Sequence, residues 1–225
     1  GEPALWSQSP SISADGRFVA FASQYPAVDD DRNVASDVFV RDRQTAQTER
    51  VSVSSAGVED SEGCWEPSIS PNGRFVAFDS MGSMLVPGDT NGTLDVFLHD
   101  RATHGTERVS VSSNGEEGNG PSYYASVSAS GRNVAFMSEA TNLVAGDTNG
   151  RSDSLVRDRV SGLTTRGALT LLGEQPDGNC VFPSLSEDGR YLAFESDARN
   201  LGPVDPFAPA SIYARDTRTG DVALL

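Results

Sequence analysis

The sequence contains three short loops in which oxygen-bearing side chains have the spacing of a cation site. Each loop follows the pattern D-x-N-x-x-x-D, and in two of them a glycine after the asparagine allows the backbone to curl. Hard cations such as Ca²⁺ take roughly six to eight oxygen ligands, which a short curved loop can supply. The pattern predicts Ca²⁺ ligands, including the carbonyl of Thr93, at Asp31, Asn33, Asp37, Asp89, Asn91, Thr93, Asp95, Asp147, Asn149 and Asp153.

The same loops also fit turn chemistry that needs no metal. Asn-Gly is a strong hairpin-turn signal, and an aspartate two residues earlier can form an Asx-turn with the backbone. No glutamate stands at position 12 of any of the three loops, so the EF-hand pattern is absent. Calcium binding and a metal-free turn therefore stand as alternative interpretations.

Residues for catalysis are scarce. The only histidines are His99 and His104, and the chain lacks the motifs G-x-S-x-G, C-x-x-C and H-E-x-x-H. A serine or cysteine hydrolase would therefore lack its general base. Paired carboxylates remain, because Asp79 and Glu195 occupy equivalent positions of an internal repeat. We predict a non-enzymatic protein, with a carbohydrate-active enzyme as the alternative.

These candidate residues recur because the chain is a tandem repeat. The segment P-S-I-S-x-x-G-R-x-V-A-F-x-S recurs four times, and its glycines are evenly spaced at Gly16, Gly73, Gly131 and Gly189. A second segment of the type D-V-F-V-R-D recurs in step with it and ends in Asp42, Asp100, Asp158 and Asp216. The repeat units are approximately 1–57, 58–115, 116–173 and 174–225, or about 58 residues each.

Each unit reads as four strands separated by turn signals. A short strand precedes a tight turn such as A-D-G, and R-F-V-A-F-x-S and D-V-F-V-R-D follow as β-branched and aromatic strands. Strands that are apolar on both faces pack between two sheets, which is the arrangement of propeller blades. We predict an all-β fold, in which residues 1–225 form one β-propeller domain of four four-stranded antiparallel blades with almost no helix.

The repeat resembles the TolB-like, or WD-like, propeller repeats of bacteria. The resemblance rests on SISPNGRFVAF with DVFLHD, and on SLSEDGRYLAF with SIYARD, and it covers essentially the whole chain. It implies the fold but not the function, because such blades serve binding proteins, peptidase gating domains and lyases. That family usually has six or seven shorter repeats, whereas this chain has four longer ones.

Aromatic residues mark a second candidate site. The stretch before each inner strand is the most variable part of the repeat, and variable segments on a rigid scaffold commonly bind ligands. We predict binding of a protein or carbohydrate there, by Trp6, Trp65, Tyr123, Tyr124 and Phe182. The alternative is that these rings only fill the centre of the propeller.

Charge restricts the class of partner. Acidic residues outnumber basic ones 32 to 17, for a formal net charge of −15, which disfavours nucleic acid and anionic lipid. No apolar run approaches the length of a membrane helix, so we expect no membrane insertion. With the resemblance to bacterial repeats, we predict a secreted or cell-surface binding scaffold. A spacer within a larger surface protein is a further alternative.

Two expectations concern geometry. Cys64 and Cys180 occupy equivalent positions in opposite blades, so we expect free thiols near the channel mouth rather than a disulfide. The first unit begins at its inner strand and the last ends at a short outer strand, DVALL. We expect a monomer in which blade one packs against blade four, and the alternative is an eight-bladed ring shared by two chains.

Overall fold

A computed structural model describes residues 6–202 and 209–225. Within these residues the chain is all β, in four antiparallel sheets of four strands each, and it contains no helix that could cross a membrane. The strands are β1 (Ser7–Ile12), β2 (Phe18–Ser23), β3 (Asp37–Asp42), β4 (Gln47–Arg50), β5 (Cys64–Ile69), β6 (Phe75–Ser80), β7 (Asp95–Asp100), β8 (Gly105–Arg108), β9 (Ser122–Val127), β10 (Asn133–Ser138), β11 (Asp153–Asp158), β12 (Leu163–Arg166), β13 (Cys180–Leu185), β14 (Tyr191–Ser196), β15 (Ser211–Asp216) and β16 (Val222–Leu224).

The predicted fold class is confirmed. Each sheet is a simple meander of four consecutive strands, and each lies within one of the predicted repeat units. The first strands of successive blades, β1, β5, β9 and β13, pack side by side and form the inner edge of the assembly. Segments 1–5 and 203–208, in the first and fourth units, lie outside the described residues.

The turn between the first two strands is built from local side-chain chemistry. In blade one the Gly16 N–H donates to the Ser13 carbonyl, and Gly16 takes a φ of +69°, which favours glycine. Asp15 accepts the Ser13 hydroxyl at 2.6 Å and the Arg17 N–H at 3.0 Å. This local network explains why the Ser-x-x-Gly-Arg segment recurs in every blade.

An arginine–aspartate pair joins the second and third strands of every blade. Arg17 donates through Nε and Nη2 to the two carboxylate oxygens of Asp42, at 3.1 and 2.7 Å. Asp42 also accepts the backbone N–H of Gln44, and the Arg17 hydrogen bonds hold the pKa of this carboxyl well below its usual range. The equivalent pairs are Arg74–Asp100, Arg132–Asp158 and Arg190–Asp216. The recurring aspartates Asp42, Asp100, Asp158 and Asp216 are therefore structural.

The core lies between blades rather than within them. We call the side of a blade that faces the next blade its front, and the opposite side its back. The front of blade one packs Ala20 and Val40 against Val76 and Phe78 on the back of blade two. Two further clusters repeat this packing between blades two and three and between blades three and four.

Both cysteines are free, as predicted, but their surroundings differ from the expectation. Cys64 is fully buried in the cluster between blades one and two, and Cys180 in the cluster between blades three and four. Burial raises the pKa of the Cys180 thiol to about 12 and raises that of Cys64 still more. They are inert core residues rather than thiols at a channel mouth, because the start of the inner strand faces the neighbouring blade.

The expected closure of blade one on blade four is wrong. Among the described residues, the strands of blades one and four do not make the extensive contacts that join neighbouring blades. Phe21 and Val19 on the back of blade one are half-buried, although their equivalents Phe78 and Val76 are fully buried. In the described part of the chain, the four blades form an arc with one uncovered apolar face at each end.

Candidate functional site

The aspartates of the D-x-N-x-x-x-D loops converge, and an arginine lies among them. In blade two, Arg108 Nη1 is 3.0 Å from Asp89 and 3.3 Å from Asp95. The same nitrogen lies 2.6 Å from Glu117, which comes from the segment after the outer strand. The guanidinium and both aspartates are almost fully buried. A side-chain cation therefore already stands where the loop pattern predicts a metal ion.

Burial shapes the acidity of this carboxylate cluster. It raises the pKa of Asp89 to about 6, against the opposing effect of Arg108. It also raises the pKa of Asp95, which accepts hydrogen bonds from Ser110 and Asn91. Glu117 differs, because hydrogen bonds from Thr90 lower its pKa to about 2. Negative charge is crowded in this cluster of Asp89, Asp95 and Glu117 around Arg108, and the arginine only partly offsets it. We call this cluster and its equivalents in blades one and three the rim clusters.

The asparagines of the three loops form hydrogen bonds with backbone N–H groups. Asn91 accepts the Thr93 N–H through Oδ1 at 3.2 Å and donates to Asp95 at 2.8 Å. Asn33 and Asn149 likewise accept the N–H two residues further along the chain. These contacts are Asx-turns made by the asparagines, whereas the metal-free interpretation named the aspartates two residues earlier. The Oδ1 atoms of the three asparagines predicted as calcium ligands therefore accept backbone N–H groups in this structure.

The clusters in blades one and three are variations on this arrangement. In blade one, Arg50 is 2.5 Å from Glu59 but 3.6 and 3.7 Å from Asp31 and Asp37. Carboxylate oxygens of these three acids lie within 4.8 Å of one another. In blade three, Arg166 is 3.0 Å from Asp153 and 3.8 Å from Asp147, and Gln175 replaces the third acid.

A second set of residues lies along the inner strands. Each inner strand carries a β-bulge, at which a residue other than glycine adopts a positive φ of 48–53°. The four residues are Ser9, Glu66, Tyr124 and Phe182. Because the conformation recurs in every blade, it belongs to the architecture, but the side chains that it presents differ completely. A kept backbone with varied side chains is the arrangement expected of a recognition surface.

Three of the five predicted aromatic residues meet at this inner edge. The ring centroids of Tyr123 and Tyr124 are 5.3 Å apart, and those of Tyr124 and Phe182 are 5.0 Å apart. Phe182 is 53% exposed and Tyr124 is 37% exposed, so the cluster is open to solvent. Trp6 is exposed just before β1, and Trp65 folds over Gly63. These rings lie on the inner strands themselves, or immediately before β1, rather than in preceding loops.

Carboxyl groups border the aromatic cluster. The Tyr123 hydroxyl donates to Glu139, and Glu66 accepts the Ser9 hydroxyl at 2.9 Å. Asp79 is only 3% exposed and accepts the Tyr124 N–H at 3.3 Å through Oδ2. Asp79 Oδ1 is buried without a hydrogen-bond partner among the described residues.

Asp79 is the most perturbed of these groups. Burial raises its pKa well above the usual range, and the nearby charge of Glu66 adds to the effect. Glu195, its repeat equivalent, lies on the uncovered front of blade four, facing Val181 and Ile212 in the neighbouring strands. The carboxylate near Asp79 is thus Glu66, and the pair Asp79–Glu195 does not form one catalytic site.

This arc of blades is similar to several solved structures. No family model and no curated protein matches the chain. The structure of TolB from Acinetobacter baumannii aligns with 98% of the chain at a TM-score of 0.60 and 19% identity. The fold is that of TolB-like β-propellers. At this identity the likeness shows the fold alone.

Other propellers align almost as well. A putative TolB from Agrobacterium tumefaciens gives a TM-score of 0.59 at 18% identity over 97% of the chain, and an oligogalacturonate lyase in complex with manganese gives 0.56 at 12% identity over 96%. The chain spans 43% and 61% of the length of the two TolB structures and 52% of the lyase. TolB proteins and a lyase thus share this architecture, so function must be argued from the site.

The sequence held a signal for one missed feature but not for the other. Glu59, Glu117 and Gln175 recur at the period of the repeat, and so do Arg50, Arg108 and Arg166, so the rim clusters could have been found by aligning the repeats. Glu66 and Glu139 show no such regularity. Glu139 reaches Tyr123 across two paired strands of blade three, whereas the position of Glu66 beside Asp79 arises within blade two.

Proposed function

We propose that this chain is a non-enzymatic binding segment of a β-propeller, and that its inner strands bind a peptide carrying a basic side chain. The observation that carries the proposal is the exposed cluster of Tyr123, Tyr124 and Phe182, bordered by Glu139, which accepts the Tyr123 hydroxyl, and by Asp79, which accepts the Tyr124 N–H. Aromatic faces attract cations, and the carboxylate of Glu139 beside the Tyr123 ring strengthens that attraction.

The charge of the whole chain supports the same class of ligand. A formal net charge of −15 raises the local concentration of basic partners and speeds their encounter with the site. The rings are also tilted against one another, at 57° and 67°, so they form a ridged surface rather than a flat stacking platform. A flat platform would favour a sugar ring, whereas an extended peptide can place one long side chain between tilted rings.

The test compares two ligand classes on the same site. We expect a short arginine-rich peptide to bind in titration calorimetry and cellohexaose not to bind. Phe182→Ala and Tyr124→Ala should each weaken peptide binding by roughly 2- to 30-fold, because a cation–aromatic contact contributes about 0.5 to 2 kcal/mol. Tyr25→Ala, an exposed aromatic residue outside the cluster, is the matched control.

The opposite pattern would contradict the proposal. Saccharide binding that is lost with Phe182 would assign the cluster to carbohydrate. Peptide binding that is unchanged by both substitutions would place the ligand elsewhere and leave the rings as packing residues. Because charge contributes to the encounter, peptide affinity should also fall as the salt concentration rises.

We further propose calcium for the rim, at the cluster of blade one. Four carboxylates surround Arg50 there. Three belong to Asp31, Asp37 and Glu59, and the fourth belongs to exposed Asp30, whose Oδ2 lies 3.6 Å from Arg50 Nη2. Asp31 Oδ1 is buried and has no hydrogen-bond partner among the described residues. One guanidinium against four acids leaves an uncompensated negative charge that a divalent cation would neutralise.

Calcium should therefore raise the melting temperature, and EDTA should lower it. A ligand that binds only the folded state at 100 times its Kd stabilises by about 2.7 kcal/mol. Asp31→Asn should abolish the difference, while Asp29→Asn, an exposed neighbour outside the cluster, should preserve it. Identical melting curves with Ca²⁺ and with EDTA would contradict calcium binding at this cluster, in which Arg50 would then be the only cation.

A further inference from the structure

Two junctions between neighbouring blades share one contact, in which an aromatic ring of one blade packs against a glycine and an arginine of the next. The two ends of the arc carry the two sides of this contact, the ring at one end and the glycine and arginine at the other. Between blades one and two, the Phe18 ring lies against Gly73, and Arg101 of blade two donates to the Gly73 carbonyl and covers the ring. Blades two and three repeat the contact with Phe75, Gly131 and Arg159. An aromatic ring at each of these junctions therefore enters a receptor made of glycine and arginine.

Blade one presents this receptor without a ring. Arg43 Nη1 already donates to the Gly16 carbonyl at 2.8 Å, as Arg101 and Arg159 do in the next blades. Among the described residues, the side chains that a Cβ at Gly16 would meet are Arg43 and Ile12, and neither is aromatic. The receptor is thus assembled and open.

Blade four presents the ring without a receptor. Tyr191 stands at the position of Phe18 and Phe75, and it is 45% exposed although Phe75 is 6% exposed. In the described part of the chain its ring meets one guanidinium, that of Arg190 from its own blade. The second guanidinium that covers Phe18 and Phe75 is missing at Tyr191.

Apolar exposure extends over both end faces. Ile12 on the back of blade one is 57% exposed, whereas its equivalents Ile69 and Val127 are 5% exposed. Ile212 on the front of blade four is 45% exposed, whereas Val96 is fully buried. Contiguous apolar faces of this kind mark contact surfaces. The two end faces differ from each other. The exposed back of blade one corresponds to the backs that are covered inside the chain, and the exposed front of blade four corresponds to the fronts that cover them.

We propose that the front of blade four in one molecule docks on the back of blade one in a second copy of this chain. The docking places Tyr191 against Gly16 of the second copy and beneath its Arg43. Within the chain, the backbone N–H groups of Cys64, Ser122 and Cys180 each donate to a carbonyl of the preceding blade. At the proposed junction, the Ser7 N–H of one copy would be the equivalent donor, and the Ala210 carbonyl of the other copy the equivalent acceptor. The contact is head-to-tail, so it generates a closed ring or an open chain according to the rotation between blades.

One difference sets the expected strength. Arg101 and Arg159 also pair with Glu49 and Glu107 on the outer strand of the preceding blade. Ala223 occupies that position in blade four, so the junction between copies lacks this ion pair. We therefore expect association in the micromolar range rather than a permanent assembly.

Light scattering at tens of micromolar tests the junction. We expect assemblies with at least twice the 23.8 kDa mass of one chain. Ile12→Glu and Ile212→Glu should each reduce the protein to a monomer, and Val160→Glu, on an exposed turn of blade three, should have no effect. All three positions are exposed, and circular dichroism checks that the variants fold.

Mixing the two monomeric variants gives the decisive result. Ile12→Glu keeps an intact blade four and Ile212→Glu keeps an intact blade one, so together they should form a 1:1 dimer with twice the mass of one chain. A mixture that stays monomeric would overturn the head-to-tail junction. A wild-type protein that remains at 23.8 kDa at these concentrations would overturn the proposal as a whole.

Discussion

Arg108→Met should destabilise the protein by about 3 to 5 kcal/mol at pH 7, the usual cost of removing one partner from a buried ion cluster. Arg108 is 8% exposed and lies between Asp89, Asp95 and Glu117. Its loss leaves three acids without a cation, two of them almost fully buried. Urea unfolding followed by circular dichroism measures the effect.

The pH dependence identifies the cause. The pKa of Asp89 is already raised to about 6, and removal of the guanidinium should raise it further. A carboxyl with a raised folded-state pKa stabilises the fold at acidic pH, and this contribution is lost as the pH rises through that pKa. The deficit of Arg108→Met should therefore be largest above pH 7 and shrink toward pH 4.

A surface arginine provides the control. Arg132 is 53% exposed and pairs with Asp158, so Arg132→Met should cost less than about 1 kcal/mol. Equal losses for the two variants would show that the rim clusters contribute no more than ordinary surface pairs. Partial rescue of Arg108→Met by Ca²⁺ would show that the loop carboxylates can accept a metal ion once the guanidinium is gone.

Asp79→Met should stabilise the protein by about 1 to 3 kcal/mol at pH 8, because it removes a buried polar group that lacks a full set of partners. The chain itself carries methionine at the equivalent position, where Met137 is 7% exposed. Thermal unfolding of both proteins measures the gain, and Asp79→Asn separates the effect of charge from that of polarity.

The sign of the pH effect follows from the raised pKa of Asp79. Below the unfolded pKa, near 4, the carboxyl is protonated in both states and its ionisation costs nothing. Above it, the unfolded chain ionises freely while the folded chain holds the proton, so wild-type stability falls as the pH rises. The advantage of Asp79→Met should therefore grow from pH 4 to pH 8, and a gap independent of pH would contradict this explanation.

The same substitution also bears on function. Asp79 accepts the Tyr124 N–H and so helps to hold this ring in the cluster. Asp79→Met should therefore bind the basic peptide more weakly while folding more stably. Such an exchange of stability for binding is common where a protein keeps an unfavourable group for its activity. A variant that gains stability and binds the peptide equally well would show that Asp79 is not part of the binding site.

Much of the fold could be predicted because each blade is encoded by short-range rules. Alternating β-branched and aromatic residues define the strands, and Ser-x-x-Gly-Arg defines the turn through bonds such as those of Asp15. These interactions join residues close in sequence, and they recur at the constant period of the repeat. The sequence by itself therefore determined the strands and the blades.

Contacts between residues far apart in the sequence lay beyond such reasoning. Arg108 meets Asp89 and Glu117 only once the rim folds, and Asp79 meets Tyr124 across 45 residues of sequence. Whether blade one touches blade four depends on the rotation between successive blades, a quantity that no local pattern encodes. Tertiary structure alone therefore decided which carboxyls border the aromatic cluster, and that the arc ends in two open faces among the described residues.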